Sequence, residues 1–213
     1  MALTVETSPP PLSRRERRKL ETRERILEAA VALFDERGFA STPVASICER
    51  ADIAQKTFFN YFPSKRHVLR EIAQGALAQL LGDIESVRKA PGTTRQRLER
   101  FFEQLAARAE QAGPMHRELL TELIHVAHEA GTESEQARKL HEAFGALIRD
   151  GVSSGELTGR HEPEALTELV MGAFYVLMFN WAHLEGYPLR RRARAAAQLL
   201  GDALAAAPEE SSA

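Results

Sequence analysis

Four polar side chains in one short segment have the chemistry needed to read the edges of DNA bases. Gln55 and Asn60 carry amides that can form paired hydrogen bonds with a base. Lys56 can reach guanine or a phosphate, and Thr57 offers a hydroxyl group or a methyl contact to thymine. We therefore interpret this segment as a candidate recognition element for the major groove.

Aromatic and basic residues nearby could contact the sugar–phosphate backbone. Phe59 and Tyr61 are two apart, so on a helix they point in different directions. We expect one to pack on the backbone of the DNA and the other to seat the helix on its own domain. The basic run Arg14-Arg15-Glu16-Arg17-Arg18-Lys19 could act as an arm along phosphates or in the minor groove, or could be a solvated helix start.

A second group of side chains suggests a metal site. Glu122 and His125 are three apart and His125 and Glu129 four apart, so each pair shares a helix face, with His116 and His128 nearby. There is no cysteine partner and no H-E-x-x-H motif. We therefore favour surface or pocket-lining histidines over a metal ligand set, and we expect no metal, no cofactor and no catalytic residues.

The elements that position these side chains are helical, because Ala, Leu, Glu and Arg dominate and no strand-like alternation occurs. Ser13 and Glu16 have capping-box spacing, and Gly38 marks the end of the first helix. Thr42-Pro43 is predicted to be an N-cap followed by proline at the first helical position. The inner stripe of the first helix is predicted to be Ile26, Leu27, Ala30, Val31 and Phe34. The predicted helices of this part are 13–37, 43–50, 55–61 and 65–88, with a turn at 51–54.

The remaining chain shows the same helical punctuation. Proline or glycine precedes most of the apolar periodic segments that follow. The predicted helices there are 94–111, 114–129, 133–153, 163–184 and 189–206. The fold class is therefore all-α with about nine helices.

Charge is distributed unevenly along a chain whose net charge is only −2. From Arg14 to Arg70 there are 13 Lys/Arg against 8 Asp/Glu, whereas residues 71–213 carry 15 against 21. A basic N-terminal part on an acidic body is the pattern of a DNA-binding domain joined to a partner domain. The single cysteine, Cys48, excludes an intrachain disulfide, and we favour a small buried hydrophobe there over a redox switch.

The N-terminus and the longest apolar run argue against export and membrane insertion. Residues 1–12 are rich in Pro and Ser and lack a signal-peptide pattern, and we expect them to be disordered. The run from Leu169 to Phe179 is short of the ~20 residues that span a bilayer. We expect a cytoplasmic protein with no membrane contact.

About 50 contiguous residues resemble the TetR family of transcriptional regulators. The similarity runs from Arg25-Ile26-Leu27 to Ser64-Lys65 and ends on the characteristic Tyr61-Phe62-x-Ser64-Lys65. It implies an N-terminal three-helix helix-turn-helix domain followed by a larger helical domain for ligand binding and dimerisation. The domains are predicted at 13–70, with the motif at about 43–62, and at 71–213.

By this resemblance, Thr42 and Lys65 would hold phosphates on the two flanks of the motif. Three departures alter the contacts: Ala54 and Phe59 each lack a hydroxyl that is usual in the family, and Lys56 adds a charge. The docking mode should carry over, but the operator sequence cannot be inferred. The predicted DNA-binding residues are Arg14, Arg15, Arg18, Thr42, Pro43, Val44, Gln55, Lys56, Thr57, Phe59, Asn60, Tyr61 and Lys65.

The larger domain resembles the family only in outline. Its penultimate helix is apolar nearly all round, which predicts burial against both its own core and a second copy. The predicted dimer interface comprises Met178, Trp181, Ala196 and Leu200, and the predicted ligand pocket comprises Phe101, Phe102, Leu105, Leu123, Ile124, Phe144, Leu147 and Phe174. For each pocket residue, plain core is the competing interpretation. The leading hypothesis is a homodimeric repressor released from operator DNA by a small hydrophobic ligand. The alternative is a similar regulator without such a ligand, answering to a protein partner or acting as an activator.

Overall fold

A computed structural model describes residues 13–111, 115–120 and 135–206. The N-terminal segment 1–12, which the sequence predicts to be disordered, lies outside this range. The described helices are α1 (Arg14–Arg37), α2 (Val44–Arg50), α3 (Gln55–Tyr61), α4 (Lys65–Lys89), α5 (Thr94–Gln111), a helical segment at 115–120 that we call α6, α7 (Glu135–Ser153), α8 (Pro163–His183) and α9 (Leu189–Leu204). Outside these helices the described residues hold one isolated β-bridge, between Leu157 and Ala205. The all-α fold class is confirmed.

The chain divides into two compact units, of which the first ends at Val68 and the second begins at Leu69. In the first unit, α1 begins with the predicted capping box: Glu16 N donates to Ser13 Oγ, and Ser13 N donates to the Glu16 carboxylate. The helix ends at Gly38, whose φ of 78° favours glycine.

The buried face of α1 is rotated slightly from the predicted stripe. Its buried residues are Ile26, Ala29, Ala30, Leu33 and Phe34, while Leu27 and Val31 are only partly buried. Alanine contributes little hydrophobic contrast, so the sequence alone placed the stripe about one residue off.

In the second unit, α5, α7 and α8 meet around an aromatic cluster. The rings of Phe101 and Phe144 are 5.1 Å apart and edge-on, and Phe174 of α8 lies 5.8 Å from Phe144. Such edge-to-face packing adds to the free energy gained from burying the rings. This cluster fixes α5 and α8, two of the helices that line the cavity described below, against α7.

The loop between α7 and α8 ties two helix ends together. Thr94 at the start of α5 donates from its backbone N and its hydroxyl to Glu156 Oε2, at 2.5 and 2.7 Å. These hydrogen bonds lower the pKa of the Glu156 carboxyl. Thr158 N donates to Leu204 O, so α9 ends at Leu204 rather than at the predicted residue 206.

Helix α8 is apolar on two faces, of which one is buried and the other is exposed. Its inner face, including Val170, Phe174 and Trp181, is buried in the core of this unit. Leu169, Val176 and Phe179 remain 59%, 59% and 50% exposed. By length and composition α8 is also the one helix among the described residues that could cross a membrane, a test that core helices of this kind pass as well.

Candidate nucleic-acid interface and buried cavity

Helix α3 is fixed to its domain by two phenylalanines and leaves its polar side chains outward. Phe58 and Phe62 are fully buried, with their ring centroids 6.0 Å apart. Gln55, Lys56 and Asn60 are all exposed; Lys56 and Asn60, four residues apart, lie opposite the two rings, and Gln55 lies in the first turn of the helix. The arrangement presents two amides and an ammonium group together, as base-edge and phosphate contacts require.

Phe58 and Phe62 seat α3, and of the two aromatic residues predicted for this role only the partly buried Tyr61 remains a candidate. Phe59 is 52% exposed and Tyr61 is partly exposed, and the helix is anchored by Phe58 and Phe62 instead. Their spacing of four residues, which places both on one helix face, was the available signal. Thr57 is partly exposed, as a residue at the edge of a binding face would be.

The turn between α2 and α3 is compact and strained at one residue. Asp52 has a φ of 51° in the left-handed region, which aspartate tolerates better than most residues. Ile53 N donates to Cys48 O at 3.0 Å and closes the turn. Cys48 itself is buried and burial raises the pKa of its thiol, which favours the interpretation as a small hydrophobe.

Thr42 has a structural role that contradicts both of its predicted roles. Its side chain is fully buried, and its hydroxyl donates to Gly38 O at 2.8 Å or Leu33 O at 3.2 Å. It is not the N-cap of α2, because Pro43 occupies that position without a side-chain cap. A fully buried hydroxyl cannot reach a phosphate, so that prediction is wrong too.

Lys65 also acts inside the domain. Its Nζ donates to Phe39 O at 2.5 Å, Thr42 O at 2.7 Å and Ala40 O at 3.5 Å, and it lies 4.3 Å from the centroid of the Phe39 ring. The ammonium group is therefore directed mainly at the carbonyls of Phe39 and Thr42. These contacts fix the turn leading into α2, and the predicted phosphate contact, with which they would compete, stays a prediction.

The other predicted backbone contacts lie at the surface. Arg14, Arg15 and Arg18 are exposed near the start of α1. Pro43 is exposed and Val44 partly exposed at the start of α2. Their contact with DNA remains a prediction.

A cavity of about 130 Å³ lies inside the second unit, between α4, α5, α6 and α8. Its walls are mainly apolar, with a few polar side chains. The lining residues are Ala76, Leu77, Gln79, Leu80, Asp83, Phe101, Gln104, Leu105, Arg108, Ala109, His116, Leu119, Leu120, Phe174, Met178 and Trp181. Cavities of this kind bind small apolar molecules.

The cavity includes only part of the predicted pocket. Phe101, Leu105 and Phe174 line it. Phe102, Phe144 and Leu147 are fully buried core residues that do not line it, because they pack between helices rather than toward the open space. The remaining predicted pocket residues, Leu123 and Ile124, lie outside the described residues.

Two predicted interface residues belong to this cavity instead. Met178 and Trp181 are 3% and 6% exposed and line the cavity from α8. They point into their own protomer, so their assignment to the dimer interface is wrong. Ala196 and Leu200 are partly buried against the core and keep an exposed part, and their role remains a prediction.

Two of the polar side chains that line the cavity pair with each other. Arg108 Nη1 forms an ion pair with Asp83 Oδ2. The Nδ1 atom of His116 is shielded from solvent and has no hydrogen-bond partner among the described residues. No group of three or more metal-binding side chains occurs within the described ranges, and Glu122, His125, His128 and Glu129 lie outside them.

Comparison with known proteins agrees with this architecture. The family model described as "Bacterial regulatory proteins, tetR family" matches residues 26–72, which include α2 and α3. The transcriptional repressor KstR of Mycolicibacterium smegmatis is 30% identical over 133 residues, covering 62% of this chain and 65% of the relative. KstR of Rhodococcus jostii is 35% identical over 123 residues, 56% of each chain. The matched region therefore spans less than two thirds of the length of these relatives.

Solved structures extend the likeness in fold to nearly the whole chain. A TetR-family regulator from Pectobacterium atrosepticum has a TM-score of 0.72 at 20% identity and covers 93% of this chain and all of its own. The Thermus thermophilus repressor FadR, solved with lauroyl-CoA, has a TM-score of 0.64 at 22% identity, covering 90% of this chain and 99% of its own. SmeT, solved with triclosan, has a TM-score of 0.67 at 21% identity, covering 86% and 91%. Residues 26–72 therefore match the tetR family of bacterial regulatory proteins, and nearly the whole chain shares the fold of these solved structures.

Proposed function

We propose that this protein is a sequence-specific, DNA-binding transcriptional repressor. The observation that carries the proposal is the exposed face of α3, where Gln55, Lys56 and Asn60 project while Phe58 and Phe62 anchor the helix. A helix held in this way can enter the major groove and form base-edge contacts without disturbing its own domain. The KstR relatives are named HTH-type transcriptional repressors, which supports repression rather than activation.

The protein acts as a homodimer that uses the exposed face of α8. Leu169, Val176 and Phe179 are spaced by seven and three residues, which places them on one stripe of the helix. Leu199 of α9 is another exposed large apolar residue, 69% exposed. Exposing such an apolar surface to water is unfavourable in free energy. The same surface on a second copy of the chain can cover it when the two copies are related by a two-fold axis. A dimer would place two copies of α3 in successive major grooves, with half-sites about one helical turn apart, ~34–36 Å.

Release from DNA is controlled by a small, mainly hydrophobic ligand in the cavity. The similar folds of FadR and SmeT were solved with lauroyl-CoA and triclosan, which supports a ligand for this chain as well. Ala76, Leu77 and Leu80 line the cavity from α4, the helix that begins at Lys65 in the DNA-binding unit. A ligand that contacts this helix can stabilise one of two positions of the helix. If one position binds operator DNA and the other does not, the change in operator affinity is set by how much more tightly the ligand binds one form than the other.

No catalytic step belongs to this proposal. The sequence has no nucleophile elbow, phosphate-binding loop or metal-spaced cluster. As a regulator of bacterial DNA, the protein would act in the cytoplasm, without a membrane partner.

The experiment measures DNA binding and ligand binding on the same molecules. Asn60→Ala should weaken binding to selected DNA by about 1–3 kcal/mol, and the control Arg192→Ala, on an exposed part of α9, should have no effect. If a ligand lowers the affinity for DNA by about 5–150-fold, linkage requires that DNA lower the affinity for that ligand by the same factor. A ligand that binds equally well with and without DNA is not an inducer. If no compound lowers DNA affinity, regulation by a protein partner or activation becomes the better account.

A further inference from the structure

A basic recess adjoins the apolar cavity. It measures about 450 Å³ and lies where α5, the end of α8 and the start of α9 meet. Its lining residues are Glu110, Trp181, Tyr187, Pro188, Leu189, Arg190, Arg191 and Arg194. Three arginines and one glutamate give it an excess of positive charge.

The two spaces share Trp181 as a wall residue. This residue lines both the cavity and the recess. On α5, Ala109 lines the cavity and its neighbour Glu110 lines the recess, so the two spaces are next to each other on this helix as well. The guanidinium group of Arg117 lies 5.4 Å from the centroid of the Trp181 ring and adds a further positive charge beside it. An elongated molecule that reached both spaces would pack its middle against this indole.

The charges in the recess are only partly neutralised by the protein. Arg190 pairs with Glu110 at 2.7 Å, and Arg194 lies 3.7 Å from Glu103. Arg191 is exposed and has no ion pair or hydrogen bond through its side chain to any described residue. A guanidinium group forms its strongest contacts with the paired oxygens of a carboxylate or phosphate.

We propose that the ligand of this protein is an anionic amphiphile. Its apolar body fills the cavity, and its carboxylate or phosphate group lies in the recess against Arg191. The inference rests on the proposed ligand-controlled function and narrows the class of the ligand. A neutral hydrophobic molecule would leave the Arg191 guanidinium group without an anionic partner.

The test compares probes with one tail and different head groups on the full-length protein. Octanoate, octyl phosphate, 1-octanol and octyltrimethylammonium are titrated below their micelle-forming concentrations. Trp181 is the only tryptophan in the sequence, so tryptophan fluorescence, excited where tyrosine does not absorb, reports on this site. Octanoate or octyl phosphate should bind about tenfold tighter than octanol, octyltrimethylammonium should bind weakest, and added salt should reduce the anion's advantage. The order of the two anions identifies the head group.

Two arginine variants on the same helix test the recess itself. Arg191→Ala should remove most of the anion's advantage over octanol. Arg192→Ala removes the same charge from an exposed neighbour that does not line the recess, and it should retain the advantage. The proposal is overturned if octanol binds as tightly as the anions, or if the two variants behave alike.

Measuring DNA affinity with each probe separates this inference from the proposed function. If an anion binds by these rules but leaves DNA affinity unchanged, the ligand class stands and ligand-controlled release fails. If octanol alone releases DNA, the proposed function stands and the anionic class fails.

Discussion

Replacing Lys65 with methionine removes the ammonium group and keeps a side chain of similar length. Two of its hydrogen bonds, to Phe39 O at 2.5 Å and Thr42 O at 2.7 Å, are short and charge-assisted. Each such bond is worth about 1.5–3 kcal/mol, and ordering a lysine side chain costs up to about 2 kcal/mol. We expect Lys65→Met to lower the stability of the DNA-binding unit by about 2–4 kcal/mol.

The same variant should leave the salt dependence of DNA binding unchanged, because the ammonium group is directed at carbonyls of its own domain. Lys56→Met is the matched control, since Lys56 is exposed on α3. It should change stability by no more than about 0.5 kcal/mol and reduce the salt slope by about 1. Any loss of affinity in Lys65→Met would then come from loosening of the turn that precedes α2.

Both variants are measured as full-length protein by two methods. Hydrogen exchange over residues 33–50 reports stability, and fluorescence anisotropy at several salt concentrations reports the slope on selected DNA. Unchanged exchange together with a slope reduced by about 1 in Lys65→Met would mean that Lys65 contacts a phosphate, and our reasoning would be refuted.

Further changes test other parts of the molecule. Gln55→Ala should relax sequence preference at one base pair by about 1–3 kcal/mol, and equal loss on all sequences would show that Gln55 does not read a base. Val176→Glu should convert dimers to folded monomers in sedimentation experiments, and a stable dimer would place the interface elsewhere. Glu156→Gln should lower stability by about 1 kcal/mol at neutral pH, through weaker hydrogen bonds from Thr94. The pKa of Glu156 is lower in the folded protein than in the unfolded chain, so the stability difference between wild type and variant is present above the ordinary glutamate pKa. This difference is lost as the pH falls through the folded-state pKa. A difference in urea melts that does not change with pH would contradict the prediction.

The local elements of the DNA-binding domain could be predicted from the sequence because their signals are local. The capping box at Ser13 and the bounds of α3 agree with the structure. The roles of Thr42 and Lys65 could not be predicted in this way. Lys65 contacts Phe39, 26 residues earlier, and no local pattern reveals such a contact.

The orientation of α8 was unpredictable for a different reason. A helix that is apolar nearly all round has no hydrophobic contrast, so the sequence does not show which face is inward. Met178 and Trp181 were therefore placed on the wrong side, while Val176 and Phe179 form the exposed face. The cavity could be expected in outline, but its lining depends on how four helices pack.

The most direct test of the central claim is selection of DNA by the full-length protein from a random-sequence library. The account predicts enrichment of a two-fold symmetric sequence whose half-sites are about one helical turn or more apart. It also predicts that Asn60→Ala, on the exposed face of α3, loses this preference, whereas Arg192→Ala enriches the same sequence as the wild type. Failure of the wild type to enrich any sequence, or enrichment of the same sequence by Asn60→Ala, would contradict the claim that α3 reads DNA.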